Sequence, residues 1–130
     1  MAVQAVVDRA SILGPDQEQA LARQLDALQS KYHHRVIILT VASLEGKDIG
    51  RFADDYGNGL GIRDGVILLV APQEKRARIS VTFGLNVQLT DAMCQTIMDR
   101  EMIPNFRRNG YAAGLMAAIA ALEAKFAAIG

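Results

Sequence analysis

A chain of 130 residues falls in the usual range of one domain and is long enough to bury a substantial core, so a single domain over residues 1–130 is expected. At 51% apolar and 22% charged, the composition is that of an ordinary globular protein and excludes a disordered or low-complexity chain. Fourteen basic residues offset fourteen acidic ones, so no overall field draws a polyanion and nucleic acid is not expected as a partner. The lone cysteine, Cys94, excludes an internal disulfide. The longest apolar runs, Val66 to Ala71 and Gly114 to Leu122, fall far short of the roughly 20 residues that cross a bilayer. Met1 to Asp8 lacks the basic start and apolar stretch of a signal peptide, so neither a leader nor a spanning segment is expected in these residues.

In chain order, Val3 to Val7 is a short candidate strand that would place Asp8 at its end. Gly14-Pro15 opens the first helix, because proline suits the first helical position, and Leu21, Leu25, Leu28 and Tyr32 repeat on one face. Arg35 to Ala42 is dense in β-branched residues without helical periodicity, which predicts a central strand covered on both faces. After a turn at Glu45-Gly46-Lys47, the residues Ile49, Phe52, Ala53, Tyr56 and Leu60 keep the spacing of a helix buried on one side, weakened by Gly57 and Gly59. Val66 to Ala71 is a second apolar strand ending at Pro72. Arg76 to Phe83 then alternates, with Ala77, Ile79, Val81 and Phe83 on one face and Arg76, Arg78, Ser80 and Thr82 on a wetter one. Thr90 is a candidate N-cap for a helix carrying Cys94, Ile97, Met98, Glu101 and Met102, which Pro104 is expected to end. The last helix, Tyr111 to Ile129, sets Leu115, Ile119, Leu122 and Phe126 in a stripe among alanines.

These elements predict an α/β fold with a mixed β-sheet sandwiched between helices. The two apolar strands are parallel across a right-handed crossover, and the third returns antiparallel as a hairpin. The hairpin brings the end of the Arg76 strand back to the edge where Val66 begins, so Asp64 and Asp91 are expected to approach one another. Asp8 joins them if its segment is a strand at that edge, and three carboxylates there suit calcium or magnesium, which prefer oxygen ligands. Each acid has a plainer reading too: Asp91 as a first-turn residue favoured by the helix dipole, Asp64 as turn chemistry in Arg63-Asp64-Gly65. His33 and His34 lack the further donors of a zinc site, and Cys94 on an apolar stripe reads as a buried thiol rather than a nucleophile. Walker, GxGxxG, HExxH, paired CxxC and GxSxG motifs are absent from the sequence.

An ordered series of short motifs then carries a resemblance. It comprises Val7-Asp8 with Leu13, Val36 to Val41 with Leu44, Gly65-Val66-Ile67-Leu68-Leu69-Val70-Ala71, and Arg78-Ile79 leading to Phe83-Gly84-Leu85. Leu89-Thr90-Asp91-Ala92, Ile103-Pro104 with Phe106, and Gly110-Tyr111 with Gly114 follow. The chain resembles the TPM-domain family over about Val6 to Leu122. The resemblance implies an α/β sandwich, a divalent cation held by Asp8, Asp64 and Asp91, and acid phosphatase activity on a phosphate monoester. There the ion would lower the pKa of bound water, Asp64 or Asp91 would act as base, and Arg63 or Arg107 would offset transition-state charge. The alternative it implies is a non-catalytic interaction domain whose partner is a membrane protein or membrane complex during assembly or maintenance. Export or membrane association is the expected location, periplasmic if the source is bacterial. The chain departs from the family where Ile62-Arg63-Asp64-Gly65 lacks the asparagine of the usual Asp-Asn-Gly, and where Asn86 replaces a common glutamate.

Overall fold

The computed structural model describes residues 5–62, 65–82 and 85–129. Four strands, β1 (Val6–Asp8), β2 (Arg35–Thr40), β3 (Gly65–Ala71) and β4 (Arg76–Val81), form one sheet in the order β1-β2-β3-β4. The first three run parallel, with Val6 opposite Ile38 and Arg35 opposite Gly65, and β4 returns antiparallel with Val66 opposite Val81 and Ala71 opposite Arg76. The mixed sheet and its hairpin therefore follow the pattern of the sequence. Every residue of β3 is buried, as a strand with helices on both faces requires.

Helices α1 (Pro15–Tyr32), α3 (Asp91–Ile97), α4 (Ile103–Arg107) and α5 (Tyr111–Ile129) contribute to one layer, and α2 (Ile49–Leu60) forms the other. The larger core joins Leu21, Leu25 and Leu28 of α1 and Leu115, Ile119, Leu122 and Phe126 of α5 to the even-numbered side of β2 and β3. The smaller one packs Ala53, Phe52 and Tyr56 against Ile37, Leu39, Ile67 and Leu69. Both parallel crossovers step the same way across the sheet, yet α1 and α2 lie on opposite faces, so the two connections have opposite hands. The right-handed rule thus holds for one of them and fails for the other.

Local chemistry fixes the element ends. Pro15 opens α1 and His33 ends it in the left-handed conformation at φ 61°. The Asp48 carboxylate accepts the Arg51 N–H to cap α2, and the Thr90 hydroxyl accepts from Met93 at 3.3 Å to cap α3. Pro104 does not end the helix as expected. The backbone widens into a π-helical turn over Met98–Met102, the Ile103 N–H bonds the Met98 carbonyl, and α4 continues through the proline. One wider turn accommodates the proline ring and its missing donor without breaking the run. The polar face of β4 also differs from the wet surface expected: α2 covers part of it, and Ser80 is buried with its hydroxyl bonded to Asp54.

Two motif glycines are required by close approach. A Cβ on Gly65 would lie 2.4 Å from the Arg35 carbonyl oxygen, and one on Gly114 would lie 2.7 Å from the Phe106 ring. The first lets β3 enter beside β2, and the second lets α4 lie down on α5.

Candidate functional site

Asp8 ends β1 at the carboxyl ends of the parallel strands, level with Thr40. Its Oδ1 accepts the Thr40 hydroxyl at 2.6 Å and the Ile12 N–H at 3.1 Å, and its Oδ2 accepts the Leu13 N–H at 2.9 Å. The buried Thr40 hydroxyl oxygen in turn accepts the Ala10 N–H at 3.0 Å. This carboxylate organises the loop into α1. Gly65 opens β3 opposite Arg35, five residues along β2 from Thr40, which is about 17 Å at ~3.3 Å per residue. The expectation that Asp8 reaches the edge where β3 begins is corrected by this register: β1 is a strand, but it presents Asp8 at the other end of the sheet.

At the β3 entrance, α2, the end of β4 and the turn after it enclose a cleft of about 520 Å³. Asp54 and Asn58, one turn apart on α2, face Ser80, Thr82 and Asn86 across it. Ser80 donates a hydrogen bond to Asp54 Oδ1, which fixes the carboxylate at the cleft wall. The Thr82 hydroxyl oxygen accepts the Gly65 N–H at 3.0 Å, while the Thr82 N–H bonds the Gly65 carbonyl, tying this rim to the start of β3. Every polar group named in the lining offers oxygen, the donor type of hard cations. Among the described residues no three aspartate, glutamate, histidine or cysteine side chains gather as a metal site. Arg63 and Asp64 lie outside the described residues. Asp91 is exposed in the first turn of α3; the Cys94 thiol is pushed up by its own burial, the larger cause, and by the Asp91 charge.

Arg107 lies in a separate cleft of about 460 Å³ at the opposite end, beside the turn from β3 to β4. Lys75, Arg76 and Arg107 stand on its rim, and Val70, Pro72, Ile103, Phe106 and Tyr111 supply an apolar wall. The length of β3 separates it from the entrance where Asp64 precedes Gly65, so pairing Arg107 with that edge is likewise corrected. Burial is the first cause of the Cys94 thiol's rise from 9.0 to about 11, and it remains a neutral core group at ordinary pH. His33 is exposed, and His34 packs on Phe126 with ring centroids 4.7 Å apart.

Spacing puts Asp54 and Asn58 on one face of α2, and alternation puts Ser80 and Thr82 on one face of β4, but only the packing of α2 over that strand face, expected to be wet, brings the four together. Lys75 and Arg76 carry no such signal, since only the hairpin turn brings them to the level of Arg107.

Fold and clefts together define a mixed α/β sandwich with polar openings at both ends of its parallel strands. The TPM-domain family profile matches residues 6–125, and the chain belongs to that family. The solved structure of the N-terminal domain of a protein from P.gingivalis is similar at TM-score 0.89 and 24% identity, covering 97% of this chain and 83% of that one. The N-terminal domain of a Corynebacterium glutamicum protein matches at TM-score 0.79 and 14% identity, covering 95% and 80%. Protein BA42 of the psychrophilic bacterium Bizionia argentinensis matches at TM-score 0.78 and 18% identity, covering 89% and 82%. Comparison with curated protein sequences gave no significant match.

Proposed function

We propose that this TPM domain binds a divalent cation, calcium or magnesium, at the β3 entrance and there hydrolyses a phosphate monoester. The observation that supports the reading is the oxygen-bearing lining of the cleft by Asp54, Asn58, Ser80, Thr82 and Asn86. Asp64 precedes Gly65 at this mouth in the sequence and is the second carboxylate of the proposed site; the family resemblance adds Asp91 as the third, although it opens α3 in the other layer and does not line the cleft. So small a set of charges places the affinity toward the weak end of the calcium range, about 0.1–1 mM. A bound ion supplies Lewis-acid stabilisation of a phosphate oxygen and a more acidic water. The chain's own part is to hold Asp54 through Ser80, with Asp64 proposed as the base and Arg63 as the group that offsets developing negative charge.

The family resemblance carries the expectation of an exported or membrane-associated protein, and this remains part of the proposal. By length and composition α5 could span a membrane over Tyr111–Ala128, with mean hydropathy 1.3, but its Leu115, Ile119, Leu122 and Phe126 stripe is spent on the core.

The test is calorimetric titration of calcium and magnesium into the protein and its Asp54→Asn and Asp64→Asn variants, followed by 4-nitrophenyl phosphate hydrolysis at saturating ion. Saturable binding that weakens at least tenfold in each variant, with turnover lost in step, is expected. Absence of binding at millimolar ion, or equal affinity in all three proteins, sinks the reading and leaves the non-catalytic interaction domain in its place.

A further inference from the structure

The cleft at the carboxyl ends of the strands has a different chemistry, independent of the cation reading. Lys75 and Arg76 leave the β3–β4 turn and Arg107 leaves the end of α4, so three cationic side chains from two separate segments share one rim. All three are exposed, and no acidic side chain among the described residues pairs with them. Glu74, the acid of the same turn, points its Oε2 elsewhere, accepting the Leu44 N–H at 2.7 Å and the Ser43 hydroxyl at 3.1 Å. Three like charges around one opening repel unless an anion lies between them.

The wall beneath them is apolar. Phe106 and Tyr111 are in ring contact at 5.2 Å between centroids, with Val70, Pro72 and Ile103 beside them. The cavity of about 460 Å³ lies in the size range of small-molecule sites, ~300–1,000 Å³. It also sits outside the carboxyl ends of β1, β2 and β3, where open α/β sheets commonly receive ligands. The 19-residue helix α5 begins at Tyr111 on this wall, adding the positive end of its dipole.

We infer that this cleft binds a soluble organic phosphate with a flat apolar body, about the size of a mononucleotide. The guanidinium groups of Arg76 and Arg107 suit the multiple oxygens of a phosphate through paired N–H donors, and Lys75 adds a mobile point charge. The ring of the ligand lies on the aromatic wall, where offset or tilted stacking is favourable. A metal cation is disfavoured by the same rim. What is inferred is phosphate binding, not turnover: among the described residues lining the cleft there is no carboxylate to act as base.

The test is an amide NMR titration of the whole chain with adenosine monophosphate and phenyl phosphate, beside adenosine and inorganic phosphate as halves of the ligand, and phosphatidylglycerol vesicles as a lipid source. Submillimolar binding of either organic phosphate is expected, with shifts centred on Lys75, Arg76, Asn109 and Tyr111. Affinity should fall at least tenfold in the Lys75→Gln/Arg107→Gln double variant, whose changes are at the surface, and should weaken as salt rises. Each half-ligand should bind at least tenfold more weakly than the whole. Lack of saturable shifts with both organic phosphates at 10 mM, affinity unchanged in the double variant, or vesicle binding without a response to either soluble phosphate overturns the inference.

Discussion

The two ends of the sheet solve different problems with the same strands. At the β3 entrance the backbone comes closest to itself: Gly65 passes Arg35, Thr82 ties β4 to the same residue, and the polar lining carries oxygen. At the far end, β3 and β4 separate into a turn, and the space between that turn and α4 is walled by apolar side chains under cationic ones. The first end is built for close packing with a polar surface beside it. The second has room beneath its charges. The proposed cation site and the inferred anion pocket therefore lie about a strand length apart, so a substitution aimed at one leaves the other untouched.

The largest effect that breaks the comparison is expected at the tight end. Gly65→Ala places a methyl against the Arg35 carbonyl and within 2.9 Å of Ile62 Cγ2, and a backbone oxygen cannot rotate away as a side chain does. A loss of about 3 kcal/mol in urea unfolding is expected, at the top of the usual cost of overpacking. A loss below about 1 kcal/mol would mean that β2 and β3 separate there readily, and the entrance would no longer count as the rigid end.

Much of this architecture was legible in the chain because it follows from burial. The β-branched run from Arg35 and the uninterrupted run from Val66 can only be satisfied between two layers, and the Leu21, Leu25, Leu28 repeat can only face one. The sites were less legible because they depend on register. Asp8 read correctly as the end of a short strand, but only its pairing with Thr40 reveals which end of the sheet it occupies. Pro104 was misread because a single π-helical turn, invisible to periodicity, removes the conflict that proline creates. The cationic rim escaped notice because Arg107 is thirty-one positions from Arg76, and charge spacing along a chain carries no information about a turn meeting a helix end.

A smaller effect sharpens the assignment of Asp8. Asp8→Asn keeps the size of the side chain but replaces one of the accepting oxygens with a donor, so at least one of the bonds to Thr40, Ile12 and Leu13 is lost. Thermal unfolding should show a loss of about 2 kcal/mol, typical of hydrogen bonds to a charged group. Calcium affinity at the entrance should be unchanged in the same variant. A matched fall in calcium affinity, without loss of stability, would return Asp8 to the ligand set and contradict the separation of the two ends.

The smallest expected effect is at Lys75, and its sign is what makes it informative. Lys75 closes the hairpin with its N–H on the Pro72 carbonyl and adopts φ 56°, a left-handed conformation that a side chain with a Cβ resists. The turn would be served better by glycine, which enters that region without the cost of about 1 kcal/mol or more. Against this stands the greater freedom glycine gives the unfolded chain, which offsets part of the gain. Lys75→Gly should therefore raise stability by about 0.5 kcal/mol while weakening organic phosphate binding several-fold, because the charge leaves the rim. Stability and binding moving in opposite directions would show that the lysine is held there for its charge at the expense of the turn. If binding is untouched while stability rises, Lys75 is only a poor turn residue, and the anion pocket must rest on Arg76 and Arg107 alone.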